Sequence, residues 1–347
     1  VKDVHSDVPS QTSEQSAGAP PSGGLHRVLG NAFGLALIVG GVIGLGIFRT
    51  PGTIAEHLPH PALIIGVWVL GAGFSWLGST SVAELAAAIP RSGGFFPYAE
   101  RAFGPFAGFV AGSSDLLSSA GTVAAGSFVF GEYLGRLVPM HAGLLAVVVL
   151  YILLNVALLA VLPVADMRGQ ALVAGTAAGW VFGRSGDSII AVVAMIGLLS
   201  AVNASQLSTS RIIYSLNRAG LVQGPFGRVN AGGTPSAALL AGSIVALAMV
   251  ATGSFERVLA ITAFYMAANY VIVLAAVFVL RRREPELARP YRARGYPWTT
   301  GFGLVGFIAF LAGAVASDTT NSLVALAGFG VTIPAFYLLR SREAKQN

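Results

Sequence analysis

Residues 41–52 read Gly41-Val-Ile-Gly-Leu-Gly-Ile-Phe-Arg-Thr-Pro-Gly52 and lie in the first long apolar segment of the chain. Three glycines in six residues, followed by Pro51, disfavour a continuous membrane-spanning helix. An interrupted helix leaves backbone groups unpaired, and lipid offers them no hydrogen-bond partner. Freed amides at such a helix end can hold a small charged solute. The stretch therefore predicts a membrane fold of helices with a solute site at this break.

The composition places most of the chain in a membrane. Of its 347 residues, 54% are hydrophobic and 10% are charged, and the mean hydropathy is +0.73. A soluble domain carries about 25% charged residues, so this chain lacks the polar surface to stay in water. A net charge of +6 could indicate a nucleic-acid partner. The basic residues, however, lie mainly in short loops beside apolar segments, as membrane orientation requires, so we expect no nucleic-acid partner. We predict a polytopic integral membrane protein in contact with the lipid bilayer.

The sequence offers no support for enzyme chemistry. The chain has no cysteine, which excludes disulfides, thiolate metal sites and cysteine nucleophiles. It has no Walker sequence, dinucleotide fingerprint or nucleophile elbow, so we expect no cofactor. His57 and His60 beside Glu56 indicate an interfacial loop, not a metal site, since Pro59 and Pro61 break the local helix.

A membrane-spanning helix needs about 20 mostly apolar residues. The candidate spans are 31–50, 61–88, 105–130, 141–163, 187–214, 236–253, 256–280, 299–317 and 321–339. Residues 1–26 are rich in Ser, Pro and Gly and are predicted to form a disordered cytoplasmic tail. Residues 27–343 form the predicted transmembrane domain, and 344–347 a short tail.

The arginines give two conflicting topologies. The connection 281–298 is the most basic one and should be cytoplasmic by the positive-inside rule. Counting spans backwards from it places 164–186 outside. Counting forwards from a cytoplasmic N-terminus, through the basic loop 89–104, places 164–186 inside. Either 141–163 does not cross the membrane fully, or an odd number of spans is missing near it.

Four motifs carry a resemblance to a known family. They are GVIGLGIFRTPG at 41–52, AELAAAIPRSGGFFPYAERAFGPFAGFVAG at 83–112, LLSAVNASQLSTSRIIYSLNRAGL at 198–221 and RPYRARGYPW at 289–298. In this order they resemble the amino acid–polyamine–organocation (APC) superfamily of permeases, from about residue 25 to 343. The resemblance implies an all-α transporter fold of twelve spans, the first ten of which form two inverted five-helix repeats.

The same resemblance implies that spans are missing. The order resembles family spans one to three followed by spans eight to twelve, and 141–163 joins the start of span four to the end of span seven. The fifth and sixth family spans have no counterpart. The net loss of three spans is odd, as the arginine count requires. The chain is thus a partial version of the fold, with an apparent internal deletion near 141–163.

The resemblance places a substrate site on the first span. In the family the first and sixth spans are both broken in the membrane, and substrate lies between them. The backbone amides of Gly44, Leu45 and Gly46 would receive the substrate carboxylate, with Val42 and Ile47 lining the pocket. Many relatives have a hydroxyl residue where Leu45 stands, and the amide contact survives that change. The alternative is a helix-packing surface of small residues.

Asp115 is the one acidic residue near the middle of a predicted span. Burying its charge costs at least about 2.5 kcal/mol, so it is a candidate for contacting a substrate amino group or taking a proton. The alternative is a structural acid that is hydrogen-bonded to Ser113, Ser114, Ser118 or Ser119.

Small polar residues in the fifth predicted span form a candidate ion or coupling site. They are Asn203, Ser205, Ser208 and Thr209. In some families of this fold the matching eighth span lines a cation site, which here implies Na⁺ or its replacement by a proton or a fixed positive charge. Helix packing through small polar residues is the alternative.

Charged residues at the predicted membrane edges have structural explanations. Glu84 and Glu100 flank Arg91 and Arg101, and we interpret them as loop-packing and orientation residues in preference to a gate. The basic connection 281–298 is interpreted first as a topology determinant and second as a contact for anionic lipids.

The predicted function is secondary-active transport of an amino acid or polyamine, by proton symport or by exchange, through alternating access. The location implied is the plasma membrane, or a bacterial inner membrane, with a cytoplasmic N-terminus. The alternative is a transport-incompetent permease remnant or an accessory membrane subunit, because the missing spans would supply half of the pocket. The sequence leaves the oligomeric state open.

Overall fold

The fold consists of α-helices joined by short connections. A computed structural model describes residues 46–58, 60–137, 179, 183–230, 233–251 and 254–343. Its α-helices are α1 (Gly46–His57), α2 (Pro61–Ala88), α3 (Phe96–Phe103), α4 (Pro105–Leu137), α5 (Arg184–Arg218), α6 (Ser236–Val250), α7 (Phe255–Arg283), α8 (Trp298–Ser317) and α9 (Thr319–Glu343). No β-strand occurs in these ranges, and the predicted all-α class is confirmed.

Helix α1 contains the second half of the glycine-rich stretch. The described part of α1 runs from Gly46 through Pro51 to His57, and its main contact is with α2. Pro51 therefore does not interrupt the helix between these residues, contrary to expectation. Proline has no amide hydrogen, so the hydrogen bond to the carbonyl of Ile47 is lost, while the helical turns after Pro51 still form. The glycines at 41 and 44 lie outside the described residues.

In the part of the chain that the structure describes, four helices are long and apolar enough to cross a membrane. They are α2, α7, α8 and the part of α9 from Thr319 to Leu338. Helix α6 is apolar but shorter. Large apolar side chains remain exposed on α2 and α8, among them Leu70, Trp76, Phe302, Val305 and Ile308. Such surfaces suit lipid and not water, so the chain is a multi-pass membrane protein.

Helices α4 and α5 are the longest, with 33 and 35 residues. At 1.5 Å per residue each is about 50 Å long, well beyond a hydrocarbon core of about 30 Å. Both exceed their predicted spans of 105–130 and 187–214 at one or both ends. The two helices pack against each other along an extensive interface.

Helix α4 lies at the centre of the described bundle and also contacts α3, α6, α7 and α9. Glycines let its neighbours approach closely. A Cβ on Gly112 would lie 2.8 Å from a Leu216 methyl, and a Cβ on Gly121 would collide with the Thr262 hydroxyl. Small residues at helix–helix contacts are the usual basis of packing in membranes.

Several elements meet at one end of the bundle. Arg101 of α3 binds Glu284, which directly follows α7, and the hydroxyls of Ser92 and Ser215 lie 3.1 Å apart. We call this face the arginine end. It comprises residues 89–104, 215–230 and 281–297. The arginine-rich connections that the sequence placed on one side of the membrane therefore lie together.

The contacts along α4 and α5 define the directions of both helices. Gly112 of α4 lies against Leu216 of α5 near the arginine end. Further from that end, Ala120 of α4 and Val202 of α5 belong to one apolar cluster. The helices are therefore antiparallel, with α4 leading away from the arginine end and α5 returning to it.

This arrangement decides between the two topology counts. Leu137, the last residue of α4, and Arg184, the first of α5, both lie at the end opposite the arginines. The chain therefore enters α5 on the side at which it left α4. The backward count, which places 164–186 opposite the arginine end, agrees with this result, and the forward count is wrong. The segment 141–163 itself lies outside the described residues.

Candidate functional site at the arginine end

The connection after α2 folds tightly onto α4 and α5. Gly93 and Gly94 have φ angles of 121° and 61°, which side chains with a Cβ rarely adopt. A Cβ on Gly93 would lie 2.7 Å from the Cβ of Ser215, and a Cβ on Gly94 would collide with a carboxylate oxygen of Asp115. Only glycine allows this connection to approach both helices so closely.

Asp115 lies beneath this connection and is 9% exposed. Its Oδ2 accepts a hydrogen bond from the backbone amide of Phe95 at 3.1 Å. The neighbouring serine that was a candidate partner, Ser114, faces α7 instead, where its hydroxyl hydrogen-bonds to the Asn269 side chain at 2.5 Å. Among the described residues no serine hydroxyl hydrogen-bonds to the Asp115 carboxylate, which instead anchors a loop amide. Its role in substrate binding stays a prediction.

A polar cleft of about 270 Å³ opens between the connection and α5. Its lining residues are Arg91, Ser92, Gly93, Gly94, Tyr98, Ala204, Leu207, Ser208 and Arg211. Burial raises the pKa of the Tyr98 phenol, so this lining residue stays neutral near pH 7. Arginines, hydroxyls and a glycine turn thus surround one opening at the arginine end.

The four polar residues predicted as an ion site do not converge. Ser208 is exposed and lines the cleft, and Asn203 is also exposed. Thr209 is buried on another face, where Gly242 of α6 leaves room for its methyl group, and its hydroxyl donates to the carbonyl of Ser205 at 2.9 Å. Helix packing accounts for Thr209, whereas the side chains of Ser208 and Asn203 are exposed.

A second group of charges surrounds Glu84, which is fully buried at the end of α2. Arg281 donates from Nε to Oε1 at 2.8 Å and from Nη2 to Oε2 at 2.5 Å, and the Ala293 amide donates to Oε2 at 2.7 Å. Arg289 Nε lies 3.4 Å from Oε1. The Arg281 guanidinium stacks 3.8 Å from the Tyr296 ring centre. The carboxylate therefore joins α2 to α7 and to the connection that follows it.

The predicted substrate residues of the first span are only partly described. Val42, Gly44 and Leu45 lie outside the described residues. Gly46 is the first described residue of α1, and the side chain of Ile47 is not among the described parts. The carboxylate cradle on this span therefore stays a prediction.

The family follows from the comparison of the whole sequence with known proteins. The family model described as amino acid permease matches residues 34–141 and 138–333. These matches cover most of the chain. The chain belongs to the amino acid permease family, within the APC superfamily of transporters. The resemblance found in its four motifs is confirmed, and an enzymatic role finds no support among these relatives.

Individual relatives are amino acid transporters. The permease is 24% identical to the serine/threonine exchanger SteT of Bacillus subtilis over 438 aligned positions, which cover 92% of this chain and 98% of SteT. It is 42% identical to the human Asc-type amino acid transporter 1 over 93 residues, or 27% of this chain and 18% of that protein. It is 34% identical over 108 residues to the rat large neutral amino acids transporter small subunit 2, or 30% of this chain and 20% of that protein.

Two features of these matches bear on the apparent deletion. The family model matches in two stretches that meet at residues 138–141, next to the predicted junction. The alignment with SteT occupies 438 positions, whereas the permease has 347 residues. SteT therefore carries residues that have no counterpart here.

Proposed function

We propose that this permease moves small neutral amino acids, such as serine or threonine, across a membrane by exchange. The observation that carries the proposal is the match to a serine/threonine exchanger over 98% of that protein's length. The similarity to an Asc-type amino acid transporter and to a large neutral amino acids transporter supports an amino acid as the solute. Exchange is preferred to proton symport because SteT, which is matched over 98% of its length, is an exchanger.

In this proposal the substrate carboxylate lies on the backbone amides of Gly44, Leu45 and Gly46, beside Val42 and Ile47. Fixed amides at a helix end bind a carboxylate without ordering a side chain. The exposed side chains of Asn203 and Ser208 on α5 supply hydroxyl and amide groups on the way to the arginine end. Na⁺ is not required for exchange.

We further propose that the arginine end faces the cytoplasm of a plasma membrane or bacterial inner membrane. Positively charged connections are retained on that side during insertion. We also propose a cytoplasmic N-terminus, because the sequence predicts two spans, 31–50 and 61–88, before the basic loop 89–104. Alternating access then exposes the site to each side in turn.

Uptake into liposomes tests the proposal. Vesicles preloaded with unlabelled serine should accumulate labelled serine, and empty vesicles should accumulate much less, because exchange needs a counter-substrate. Gly46→Trp should abolish uptake by filling the cradle. Gly71→Trp is the matched control, since nothing lies within 4 Å of a Cβ at that exposed position. Equal uptake by the two variants would contradict the assigned site.

A second candidate function rests on the length difference from SteT. If the unmatched positions include the helix that closes the site, the permease binds no substrate alone and acts as an accessory membrane subunit. Inserting the corresponding SteT segment at residues 138–141 separates the two functions. If only the protein with the inserted segment takes up serine, the accessory-subunit function is supported. If the protein takes up serine equally well with and without the insertion, the exchanger function is supported.

A further inference from the structure

The cleft beside Gly93 and Gly94 continues into a second one along α5. The second cleft, of about 340 Å³, shares Arg91 and Ser92 with the first. Its other lining residues are Phe96, Tyr214, Ser215, Arg218 and Ala219. From Leu207 in the first cleft to Arg218 in the second, α5 rises by about 16 Å. The two clefts therefore form one groove that leads from the membrane interior to the arginine end.

Three arginines line this groove, and two of them have no anionic partner in the described ranges. The guanidinium groups of Arg211 and Arg218 make no hydrogen bond or ion pair with a described residue. Arg91 is 2.9 Å from Glu100 but remains 53% exposed. Asp115 lies behind Gly94 and is occupied by the Phe95 amide. Counting the carboxylates of Glu100 and Asp115 against the three arginines still leaves the groove with a net positive charge.

Three other carboxylates of the arginine end, those of Glu84, Glu284 and the exposed Glu286, line neither cleft. Glu84 is enclosed by Arg281, Arg289 and a backbone amide, and Glu284 binds Arg101 through both oxygens. Arg281, near the end of α7, and Arg289, in the connection after it, are therefore engaged inside the protein. The connection after α7 also has exposed arginines, among them Arg292 and Arg294, but these line neither cleft, so the guanidinium groups inside the groove are those of Arg91, Arg211 and Arg218.

We propose that this groove binds a phosphate group. Guanidinium groups present paired donors that match the oxygens of phosphate. The hydroxyl of Ser208, and one of the two hydroxyls in the Ser92–Ser215 pair, add further donors. Phosphate can come from an anionic lipid or from solution. Ala204 and Leu207 at the deep end of the groove suit the glycerol and first acyl carbons of a lipid, and basic pockets at the cytoplasmic face of membrane helices bind such headgroups.

Native mass spectrometry of the purified full chain in a neutral detergent tests the proposal. The protein is titrated separately with phosphatidylglycerol, phosphatidylcholine and inorganic phosphate. Phosphatidylglycerol should bind more tightly than phosphatidylcholine, and Arg211→Gln or Arg218→Gln should each weaken binding roughly tenfold through loss of a charge-assisted hydrogen bond. Arg292→Gln is the matched control, because Arg292 is exposed and lines neither cleft.

The outcomes are distinct. Tight binding of inorganic phosphate with the same dependence on Arg211 and Arg218 would assign the groove to a soluble phosphate. Equal effects of Arg211→Gln, Arg218→Gln and Arg292→Gln would overturn the proposal, as would absence of binding in all three titrations. Arg218 is exposed, so Arg218→Gln keeps the test valid if Arg211→Gln fails to fold. The measurement does not depend on transport.

Discussion

The Glu84 carboxylate and the Arg281 guanidinium form a two-point ion pair across 197 residues of sequence, with Nε–Oε1 and Nη2–Oε2 distances of 2.8 and 2.5 Å. Arg289 and the Ala293 amide complete the shell around Glu84. Every hydrogen bond in this shell connects α2 to α7 or to the connection after it. The pair therefore fastens three elements at the arginine end of the permease.

Removing this carboxylate should destabilise the protein strongly. In Glu84→Gln, Arg281 and Arg289 lose their shared anion, and the side chain of Arg289 is only 4% exposed. Breaking a buried ion pair by removing one partner costs about 3–5 kcal/mol. We expect a clearly lower melting temperature in detergent, measured by tryptophan fluorescence. Glu286→Gln, at an exposed position nearby, should leave the melting temperature unchanged, and a similar loss in both variants would contradict this role for Glu84.

The ion pair between Arg101 and Glu284 predicts a dependence of stability on pH. The hydrogen bonds from Arg101 lower the pKa of Glu284 below its usual value. A carboxyl with a depressed pKa in the folded state stabilises the fold above its unfolded pKa of about 4.3 and loses that contribution as pH falls through the folded pKa. The stability difference between the wild type and Glu284→Gln should therefore be constant from pH 7 to about 5.

Below about pH 4 that difference should shrink as Glu284 becomes protonated. Its size should stay below about 1 kcal/mol, because both side chains are about one-third exposed and water screens the pair. High salt at pH 7 should reduce the difference as well. Thermal unfolding over pH 3–7 at two salt concentrations checks both statements. A difference that grows on acidification would show that the pair does not stabilise the fold.

Gly94 should be among the least replaceable residues of the connection after α2. In Gly94→Ala the new methyl group meets the Asp115 carboxylate, and the φ of 61° adds backbone strain of about 1–3 kcal/mol. Gly104→Ala is the control for backbone strain alone, because alanine also avoids its φ of 92° and ψ of 177°, and nothing lies within 4 Å of a Cβ there. Gly94→Ala should therefore lower the melting temperature more than Gly104→Ala.

A double-mutant cycle isolates the contact itself. Asp115→Ala removes the carboxylate that the new methyl group meets, so the double variant should be more stable than the sum of the two single effects predicts. Strict additivity would mean that the contact with Asp115 does not cause the loss.

The apolar helices could be predicted from sequence because their signal is local. Helix α2 occupies its predicted residues 61–88, with a proline at its first position, and α8 begins one residue before its predicted start. Helix α3 was missed, since its eight residues lie among glycines and prolines that indicate a loop. It forms because Phe96 and Tyr98 are buried against neighbouring helices.

The polar contacts could not be predicted, because their partners are distant in sequence. Asp115 lies four residues or fewer from several serines, yet the atom that binds it is the Phe95 amide, placed there by a turn through Gly94. The residue type and its place in an apolar segment predicted that Asp115 is a buried acid. They could not predict which way its side chain points. From the sequence, Glu84 is likewise interpreted as a residue at the membrane edge. Its partner Arg281 lies on α7, far away in sequence, and only the fold shows that the two side chains meet.

The antiparallel arrangement of α4 and α5 predicts the sidedness of three exposed positions. The permease has no native cysteine, so single cysteines can be labelled without background. Asn230→Cys and Glu286→Cys lie at or beside the arginine end, and Ser185→Cys lies at the start of α5, about 50 Å away along that helix. All three replacements keep every arginine, so the charges that orient the protein are unchanged.

A membrane-impermeant maleimide applied to intact cells should label Ser185→Cys alone, because the arginine end faces the cytoplasm. In permeabilised cells all three variants should react. Labelling of Ser185→Cys and Glu286→Cys from the same side would mean that α5 does not cross the membrane. If Asn230→Cys and Glu286→Cys but not Ser185→Cys are labelled in intact cells, the arrangement of the helices is supported. The arginine end would then face the outside, opposite to the proposed orientation.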